Sequence, residues 1–329
     1  MKQLIRHLGL CFLDLFSTEI TDCVSGARLG RGLVLGWGGR VHVIGYAGKP
    51  LVPMFVPQGR LCFWKQEIGF TAHAAPDFPR IAPHAEGLPG ERVLNLVVTH
   101  QGGAAFADLL KAWDGVCNPE DLWIVFGGSR SEFEALGYPR KVFVDDPDIR
   151  TRDHQREKQS YAGLLQAVRP IVESEAPDYV HLCEFDHLPA VTDLNKRQIR
   201  ALRENGADVM AHYLVRTDRT GHPIALSHEG DPAFASLWKS VSLRDDTAPV
   251  FWMFGSGSLW TRDAFLAVAA TPLPAKCYFE IHLPTLAHHL GYRIRCWNEK
   301  EHLISNKPSH LHTVARARQS GCWTVHPVK

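Results

Sequence analysis

The 329-residue sequence lacks an excess of charge of either sign, a long hydrophobic run and any paired-cysteine motif. Its 36 Lys and Arg balance 35 Asp and Glu, so the chain offers no overall electrostatic attraction to nucleic acid or anionic lipid. The apolar stretch at residues 8–13 stops at Asp14 and is too short to span a bilayer. The eight cysteines form no Cys-x-x-Cys pair, which excludes a zinc ribbon or a paired-cysteine redox motif. We therefore expect a cytoplasmic protein with reduced thiols, at most peripheral to a membrane.

The composition is that of a folded globular protein, with 45% hydrophobic and 22% charged residues. The length exceeds the usual size of one hydrophobic core. Residues 1–90 contain short apolar runs separated by Gly and Pro, which predicts small β-strands and turns, and residues 73–90 form a Pro-rich linker. We therefore divide the chain into a β-rich N-terminal extension with its linker, 1–90, and a main domain, 91–329.

From residue 91 onward, strand and helix patterns alternate. Apolar runs predict strands, and an amphipathic helix at 104–113 places Phe106, Leu109, Leu110 and Trp113 on one face. Alternation of this kind is typical of an α/β, Rossmann-like, mainly parallel sheet with helices on both faces. The predicted strands are 93–99, 122–126, 141–144 and 179–183, and further helices are predicted after Ser131 and from about 155 to 175.

Polar, acidic and glycine residues follow each predicted strand. Ligands of such sheets bind at the carboxyl ends of the strands, so these residues predict a pocket. The alternative is that they are solvated loop residues and helix caps, which is the ordinary role of Ser129 and Asp145. The strand ends read Thr99-His100-Gln101, Gly127-Gly128-Ser129, Asp145-Asp146 and Glu184-Phe185-Asp186-His187.

The acidic pair Glu184 and Asp186 is the sharpest signal. Side chains alternate along an extended strand, so both carboxylates point to the same side and repel each other. A hard divalent cation that keeps some ligand positions for water and phosphate oxygens relieves that repulsion. The competing interpretation is a surface turn with adjacent acids, but the preceding strand is apolar and leads directly into the pair.

Residues 92 to about 215 resemble the nucleotide-sugar-binding half of a GT-A fold glycosyltransferase, and the segment HLCEFDHLP resembles the aspartate-x-aspartate segment of that class. The resemblance implies a nucleotide-sugar half at 91–215 and an acceptor half with a tail at 216–329. It implies that Asp186 coordinates Mn²⁺ or Mg²⁺ between two phosphates, while Glu184 faces the ribose or the sugar. The expected donor is a UDP-sugar.

The resemblance also implies a nucleoside site built from the other strand ends. One departure affects it: many inverting members have an aspartate pair where this chain has Gly127-Gly128, so reading of the base would pass to Asp145 or Asp146. The identity of the base is therefore open. The implied nucleoside site is lined by Thr99, His100, Gln101, Ser129, Asp145 and Asp146.

The second half supplies the remaining parts that the resemblance implies. A Gly-Ser turn at 255–262 resembles the sugar-binding loop of the class, although a plain hairpin is an equal alternative. Glu280, with His282 as second candidate, would accept the acceptor's proton. The alternative for Glu280 is an acid that a helix N-terminus favours.

The C-terminal tail concentrates histidine and basic residues. In several GT-A families a C-terminal histidine completes the metal site, so His310 or His312 would do this, while Arg316 and Lys329 would cover the diphosphate. A solvated basic tail is the alternative.

The predicted function is metal-dependent transfer of a sugar to a carbohydrate or other hydroxyl acceptor, as in polysaccharide biosynthesis, with inversion preferred. One alternative is a nucleotidyltransferase, although Gln101-Gly102-Gly103 is followed by no basic residue before Lys111. A carbohydrate-binding protein without turnover is the other, suggested by aromatic residues such as Trp37 and Trp64 in the extension.

Overall fold

The computed structural model describes residues 91–150, 156, 160–216, 232–242, 250–271, 277–305, 310 and 312–328, and the backbone of seven strands between residues 17 and 69. The seven strands form two small sheets in the orders β1-β2-β3-β5 and β4-β6-β7, all antiparallel. The extension is therefore β-rich, as predicted, while the linker at 73–90 lies outside the described residues. The strands are β1 Ser17–Thr21, β2 Arg28–Trp37, β3 Arg40–Tyr46, β4 Val52–Pro53, β5 Val56–Pro57, β6 Cys62–Trp64 and β7 Gln66–Gly69.

A seven-stranded sheet organises the main domain, in the order β10-β9-β8-β11-β14-β13-β15. Strands β8 to β11 are mutually parallel, and β14 alone of the seven runs against the others. This confirms the predicted mixed, mainly parallel α/β sheet. Its strands are β8 Val93–Thr99, β9 Leu122–Phe126, β10 Lys141–Phe143, β11 Tyr179–Glu184, β13 Val209–Arg216, β14 Phe251–Thr261 and β15 Ile294–Cys296.

Helices cover both faces of this sheet because its strands are apolar on both sides. In β8, Leu94 and Leu96 pack with Leu164 of α3 on one face, while Val97 packs with Phe106 of α1 on the other. The described α-helices are α1 Gly103–Trp113, α2 Arg130–Ala135, α3 Tyr161–Glu175, α4 Leu194–Glu204, α5 Pro232–Ser242, α6 Arg262–Ala270, α7 Phe279–His289 and α8 Val314–Gln319. None of the described helices is both long enough and apolar enough to cross a membrane.

A small second sheet brings the C-terminal region to the main sheet. Its central strand is β17 (Thr324–His326), which pairs antiparallel with β12 (Leu188–Pro189) and parallel with β16 (His302–Ile304). Beyond β17, the Val328 amide donates to the carbonyl of Asp186 at 3.0 Å. The end of the chain is therefore bonded to the turn that follows β11.

The predicted Gly-Ser turn at 255–262 is wrong. These residues continue β14, which runs from Phe251 to Thr261, directly before α6. The side chains of Ser256 and Ser258 are completely buried within the sheet. The glycines Gly255 and Gly257 have a packing role there, because they lie against the rings of Phe279 and His187.

Candidate metal centre at the carboxyl end of the sheet

The carboxyl ends of β8 and β11 meet where the strand order reverses. The chain leaves β8 toward β9 on one side and leaves β11 toward β13, beyond β14, on the other. In α/β sheets the ligand crevice lies outside the carboxyl ends of the strands at such a reversal. The Phe185 amide donates to the carbonyl of Val98 at 2.9 Å, and the rings of His100 and Phe185 meet edge to face at 5.1 Å. The two strand ends that the sequence placed in one pocket therefore lie side by side.

Two carboxylates and one imidazole converge in this crevice. Glu184 is the last residue of β11, and Asp186 lies in the turn that follows. His326, the last residue of β17, places Nε2 at 3.3 Å from Asp186 Oδ1 and 3.9 Å from Glu184 Oε2. One ligand atom from each of the three residues lies within 4.8 Å of the others. The group has the composition and size of a site for one divalent cation.

The hydrogen bonds of the group support that reading. Asp186 Oδ1 is buried and has no hydrogen-bond partner among the described residues. His326 Nδ1 lies 3.4 Å from the carbonyl oxygen of Ser305, which can only accept, so Nδ1 carries a proton and Nε2 is the ring nitrogen that faces the carboxylates. Nε2 and the facing carboxylate oxygens together offer one nitrogen and two oxygen ligands to a cation. An outer hydrogen bond of this kind is also what orients metal-binding imidazoles.

Glu184 is held in place from the opposite side. Its Oε1 accepts a hydrogen bond of 3.1 Å from the hydroxyl of Tyr161, whose ring stacks on Phe279 with 3.6 Å between centroids. The Glu184 amide donates to Ser256 Oγ at 2.9 Å. One carboxylate oxygen thus binds the helix layer, while Oε2 faces His326.

Further buried histidines stand behind the group. The ring of His187 lies 5.6 Å from that of His326 and 5.5 Å from that of His212, which in turn lies 4.6 Å from His302. Burial, followed by the charge of His212, lowers the pKa of His187 and of His302 well below the usual range. His187 and His302 are therefore neutral near pH 7 and do not repel a cation at the acidic group.

On the nucleoside side, the predicted residues lie at the strand ends but several have local structural roles. Thr99 is buried and its hydroxyl accepts from the Gln101 amide at 3.0 Å, while His100 is exposed. Ser129 is the N-cap of α2 in a capping box with Glu132, which is the alternative that the sequence left open.

The two predicted base-reading acids differ in exposure. Asp145 is exposed and lies 3.9 Å from the guanidinium of Arg130. Asp146 is partly buried, and its Oδ1 accepts from the Asp148 amide at 2.9 Å. Their role in reading a base stays a prediction.

Close packing explains why two glycines follow β9. A Cβ at Gly127 would lie 2.9 Å from the side chain of Ile149, and one at Gly128 would lie 2.6 Å from the ring of Phe126. An aspartate pair does not fit at these positions, so the departure noted in the sequence follows from packing.

The two predicted bases lie in α7, and both are buried. Glu280 accepts hydrogen bonds on both carboxylate oxygens, at 2.8 Å from the indole of Trp252 and at 3.0 Å from the Gly255 amide. Burial lowers the pKa of His282 to about 4. The contacts of Glu280 are those of a carboxylate that holds α7 against β14.

The tail residues chosen from the sequence are not the ones that join the acidic group. His310 is exposed, and neither it nor His312 belongs to the cluster. His312 is near His326: burial lowers the pKa of His312, and the electrostatic influence of His326 lowers it further. The Nδ1 atom of His312 is buried without a hydrogen-bond partner in the described part of the chain. Arg316 is exposed on α8, and Lys329 lies outside the described residues.

His326 is the residue that sequence reasoning missed. It was counted among the basic residues of the tail, while the His-x-His pair drew attention to 310 and 312. The available signal was the short extended pattern Thr324-Val325-His326 before Pro327, which predicts a strand end rather than a solvated tail.

Comparisons with known proteins do not assign the chain to a family. No family model and no curated protein matches the chain. Solved structures that match include the mannosyltransferase PcManGT from Pyrobaculum calidifontis in complex with GDP-Man and Mn²⁺ (13% identity, TM-score 0.34, 62% of this chain and 53% of that one). Another is the bifunctional IspDF from Campylobacter jejuni, with 10% identity and a TM-score of 0.34 over 64% of this chain and 50% of that one. A third is a CMP:2-keto-3-deoxy-manno-octonic acid synthetase complexed with CTP, with 10% identity and a TM-score of 0.34 over 63% of this chain and 89% of that one. The chain spans about half the length of the first two. At these TM-scores the likenesses carry no argument about function, which rests on the site itself.

Proposed function

We propose that this protein is a metal-dependent glycosyltransferase that moves a sugar from a nucleotide-diphosphate sugar to a hydroxyl acceptor. One observation carries the proposal: Asp186 Oδ1 is buried without a hydrogen-bond partner among the described residues and faces His326 Nε2 in the crevice where the strand order reverses. A cation site at this position of an α/β sheet lies where a nucleotide binds.

Asp186, Glu184 and His326 would hold the cation, which when bound supplies the positive charge that stabilises a departing nucleoside diphosphate. Two carboxylates with one imidazole favour Mn²⁺ over Mg²⁺, because an imidazole nitrogen is a softer ligand than the oxygens that Mg²⁺ requires. His100 and Phe185, at the rim of the crevice, would contact the nucleoside. Arg316 and Lys329 remain proposed contacts of the diphosphate. The base of the donor is open, and a UDP-sugar is the first candidate.

The acceptor's proton needs a base within hydrogen-bond reach. Glu280 stays our first candidate, although it would have to release Trp252 or Gly255 to act. In Glu280→Gln, loss of a base should lower kcat by about 100-fold or more while Mn²⁺ affinity holds. The melting temperature should also fall, because the amide nitrogen cannot accept one of the two hydrogen bonds. A fall in melting temperature with kcat retained would assign Glu280 a structural role instead, and His282→Asn tests the second candidate in the same assays.

One observation favours the second candidate function, nucleotidyl transfer. Helix α1 begins directly after the end of β8, Gly102 caps it without a side-chain hydrogen bond, and Gly103 has φ of +59°. Such a helix start leaves main-chain amides for a phosphate.

Isothermal titration of the full chain separates the two functions. UDP, GDP, CDP and ADP, with the corresponding triphosphates, are titrated in Mn²⁺ and again in EDTA. Glycosyl transfer predicts Mn²⁺-dependent binding of one diphosphate, followed by hydrolysis or transfer of the matching nucleotide sugars. A preference for a triphosphate supports nucleotidyl transfer, and absence of any Mn²⁺-dependent nucleotide binding contradicts both.

A further inference from the structure

We propose that Ser256 is a positioning residue for the metal centre. Its hydroxyl holds the main chain of Glu184 and the ring of His187, and so fixes the turn that carries both carboxylates. The inference rests on the proposed cation site and concerns a residue that touches neither the cation nor the substrate.

The main-chain pairing of β11 and β14 stops just before the site. It runs from Tyr179 opposite Thr261 to Leu182 opposite Ser258. Two residues further along β11, the Glu184 amide donates to a side-chain oxygen, Ser256 Oγ, at 2.9 Å. A buried amide requires an acceptor, and here the serine hydroxyl takes the place of the missing main-chain partner.

The same hydroxyl reaches the other end of the turn. His187 Nδ1 lies 3.1 Å from Ser256 Oγ, and the turn is closed by a 3.0 Å hydrogen bond from the His187 amide to the Glu184 carbonyl. Ser256 and the His187 side chain are both buried. Asp186 lies between these two fixed residues, so the direction of its carboxylate toward His326 depends on them.

Glycines on both sides of Ser256 make this contact sterically available. Gly257 has φ of +80°, and a Cβ there would lie 2.1 Å from the ring of His187. A Cβ at Gly255 would lie 2.2 Å from the ring of Phe279. The Gly-Ser-Gly segment therefore packs against the rings of His187 and Phe279 beside the metal centre, whereas the sequence suggested that it contacts a sugar ring.

The chain provides a matched control two residues away. Ser258 lies in the same strand, is equally buried, and its hydroxyl accepts from the indole of Trp260 at 2.9 Å. Ser256→Ala and Ser258→Ala each remove one hydroxyl from the same strand. Only Ser256→Ala removes the contacts with Glu184 and His187.

The test measures the dissociation constant of Mn²⁺, without nucleotide, for the parent chain and for both variants, from the EPR signal of the free ion. The melting temperature of each metal-free protein is measured as well. Outer hydrogen bonds to metal ligands affect affinity by about 10- to 100-fold, so Ser256→Ala should weaken Mn²⁺ binding by that factor while Ser258→Ala stays within about two-fold of the parent. Both variants should lose similar thermal stability.

Equal Mn²⁺ affinity in the parent and Ser256→Ala would overturn the inference and leave the proposed function standing. A parent chain that binds no Mn²⁺ would instead remove the metal centre and the inference together. If Ser256→Ala does not fold, Ser256→Cys keeps the volume and weakens the acceptor; it should also bind Mn²⁺ less tightly, and affinity equal to that of Ser258→Ala would count against the role of Ser256.

Discussion

Strand β11 and the turn that follows it contain two buried polar groups that differ in how their hydrogen bonds are satisfied. Halfway along it, His181 has a partner on each ring nitrogen, Asn95 Oδ1 at 3.1 Å and Gln198 Nε2 at 3.2 Å. In the turn after its carboxyl end, Asp186 Oδ1 has no hydrogen-bond partner in the described chain and lies 3.3 Å from His326 Nε2. Buried polar groups in native proteins are nearly always paired, and of these two groups only Asp186, which lies beside Glu184 and His326, has a metal-ligand set around it.

Position in the sheet explains the difference. His181 is completely enclosed between β8, β14 and α4, which leaves no room for anything but protein partners. Burial, aided by the charge of His212, lowers its pKa to about 3, so the ring is a neutral structural element. The end of β11 lies in the crevice, where the partners of the carboxylates can come from solution. The predictions below change one group at a time.

The largest effect is expected from Asp186→Asn. The amide is a poor ligand for a divalent cation, so Mn²⁺ binding should weaken by more than about 100-fold and sugar transfer should be abolished. The metal-free variant should melt near the parent temperature, because no hydrogen bond is lost. Titration calorimetry with Mn²⁺ and a melting curve check both points, and near-normal turnover would contradict the site.

His326→Gln is expected to come next, with a loss of about 10- to 100-fold in Mn²⁺ affinity. His310→Gln is the control, because His310 is exposed and outside the cluster, and it should leave affinity unchanged. His312→Gln should have a smaller effect than His326→Gln. Loss of binding in the His310 variant, with His326→Gln unaffected, would reverse our assignment.

His181→Ala should show the opposite pattern. It leaves Asn95 and Gln198 without their partner and opens a cavity, which should lower the free energy of unfolding by about 3 kcal/mol. Mn²⁺ affinity should not change. Urea denaturation of the metal-free protein gives the first quantity and calorimetry the second; a variant that is stable but cannot bind Mn²⁺ would remove the distinction between the two groups.

The smallest effect, for each step of one pH unit, is a pH dependence of stability. Burial lowers the pKa of His282 to about 4, below the ordinary value of 6.5, so the unfolded chain binds more protons than the folded one between these values. Stability should therefore fall as the pH drops from 6.5 toward 4, by up to about 1.4 kcal/mol per pH unit for this histidine. Urea denaturation in EDTA at several pH values should give a shallower slope for His282→Asn, and identical slopes would contradict a buried, neutral His282.

Local patterns predicted the elements on the nucleotide side well. Strands β8 and β9 have the predicted bounds because each is an apolar run between polar turns, and α1 begins one residue before its predicted start. The acidic pair was found for the same reason, since it directly follows an apolar strand. These features depend on residues that are near one another in sequence.

The other side of the site depends on contacts between distant segments. Gly255 and Gly257 look like turn residues, but they lie in a strand because the rings of Phe279 and His187 occupy the space of a side chain. His326 reaches Asp186 because β17 inserts between β12 and β16, a pairing that no local pattern reveals. His310 and His312 were chosen on spacing alone, which cannot decide which histidine returns to the sheet.

The most direct test of the central claim is pulsed EPR of the Mn²⁺-loaded full chain. Glu184, Asp186 and His326 would hold the ion through two carboxylates and one imidazole, so the spin-echo envelope should show nitrogen modulation from one bound histidine. The modulation should persist in His310→Gln and vanish in His326→Gln. A bound Mn²⁺ without nitrogen modulation in the parent protein, or with modulation that survives His326→Gln, would contradict the proposed metal centre.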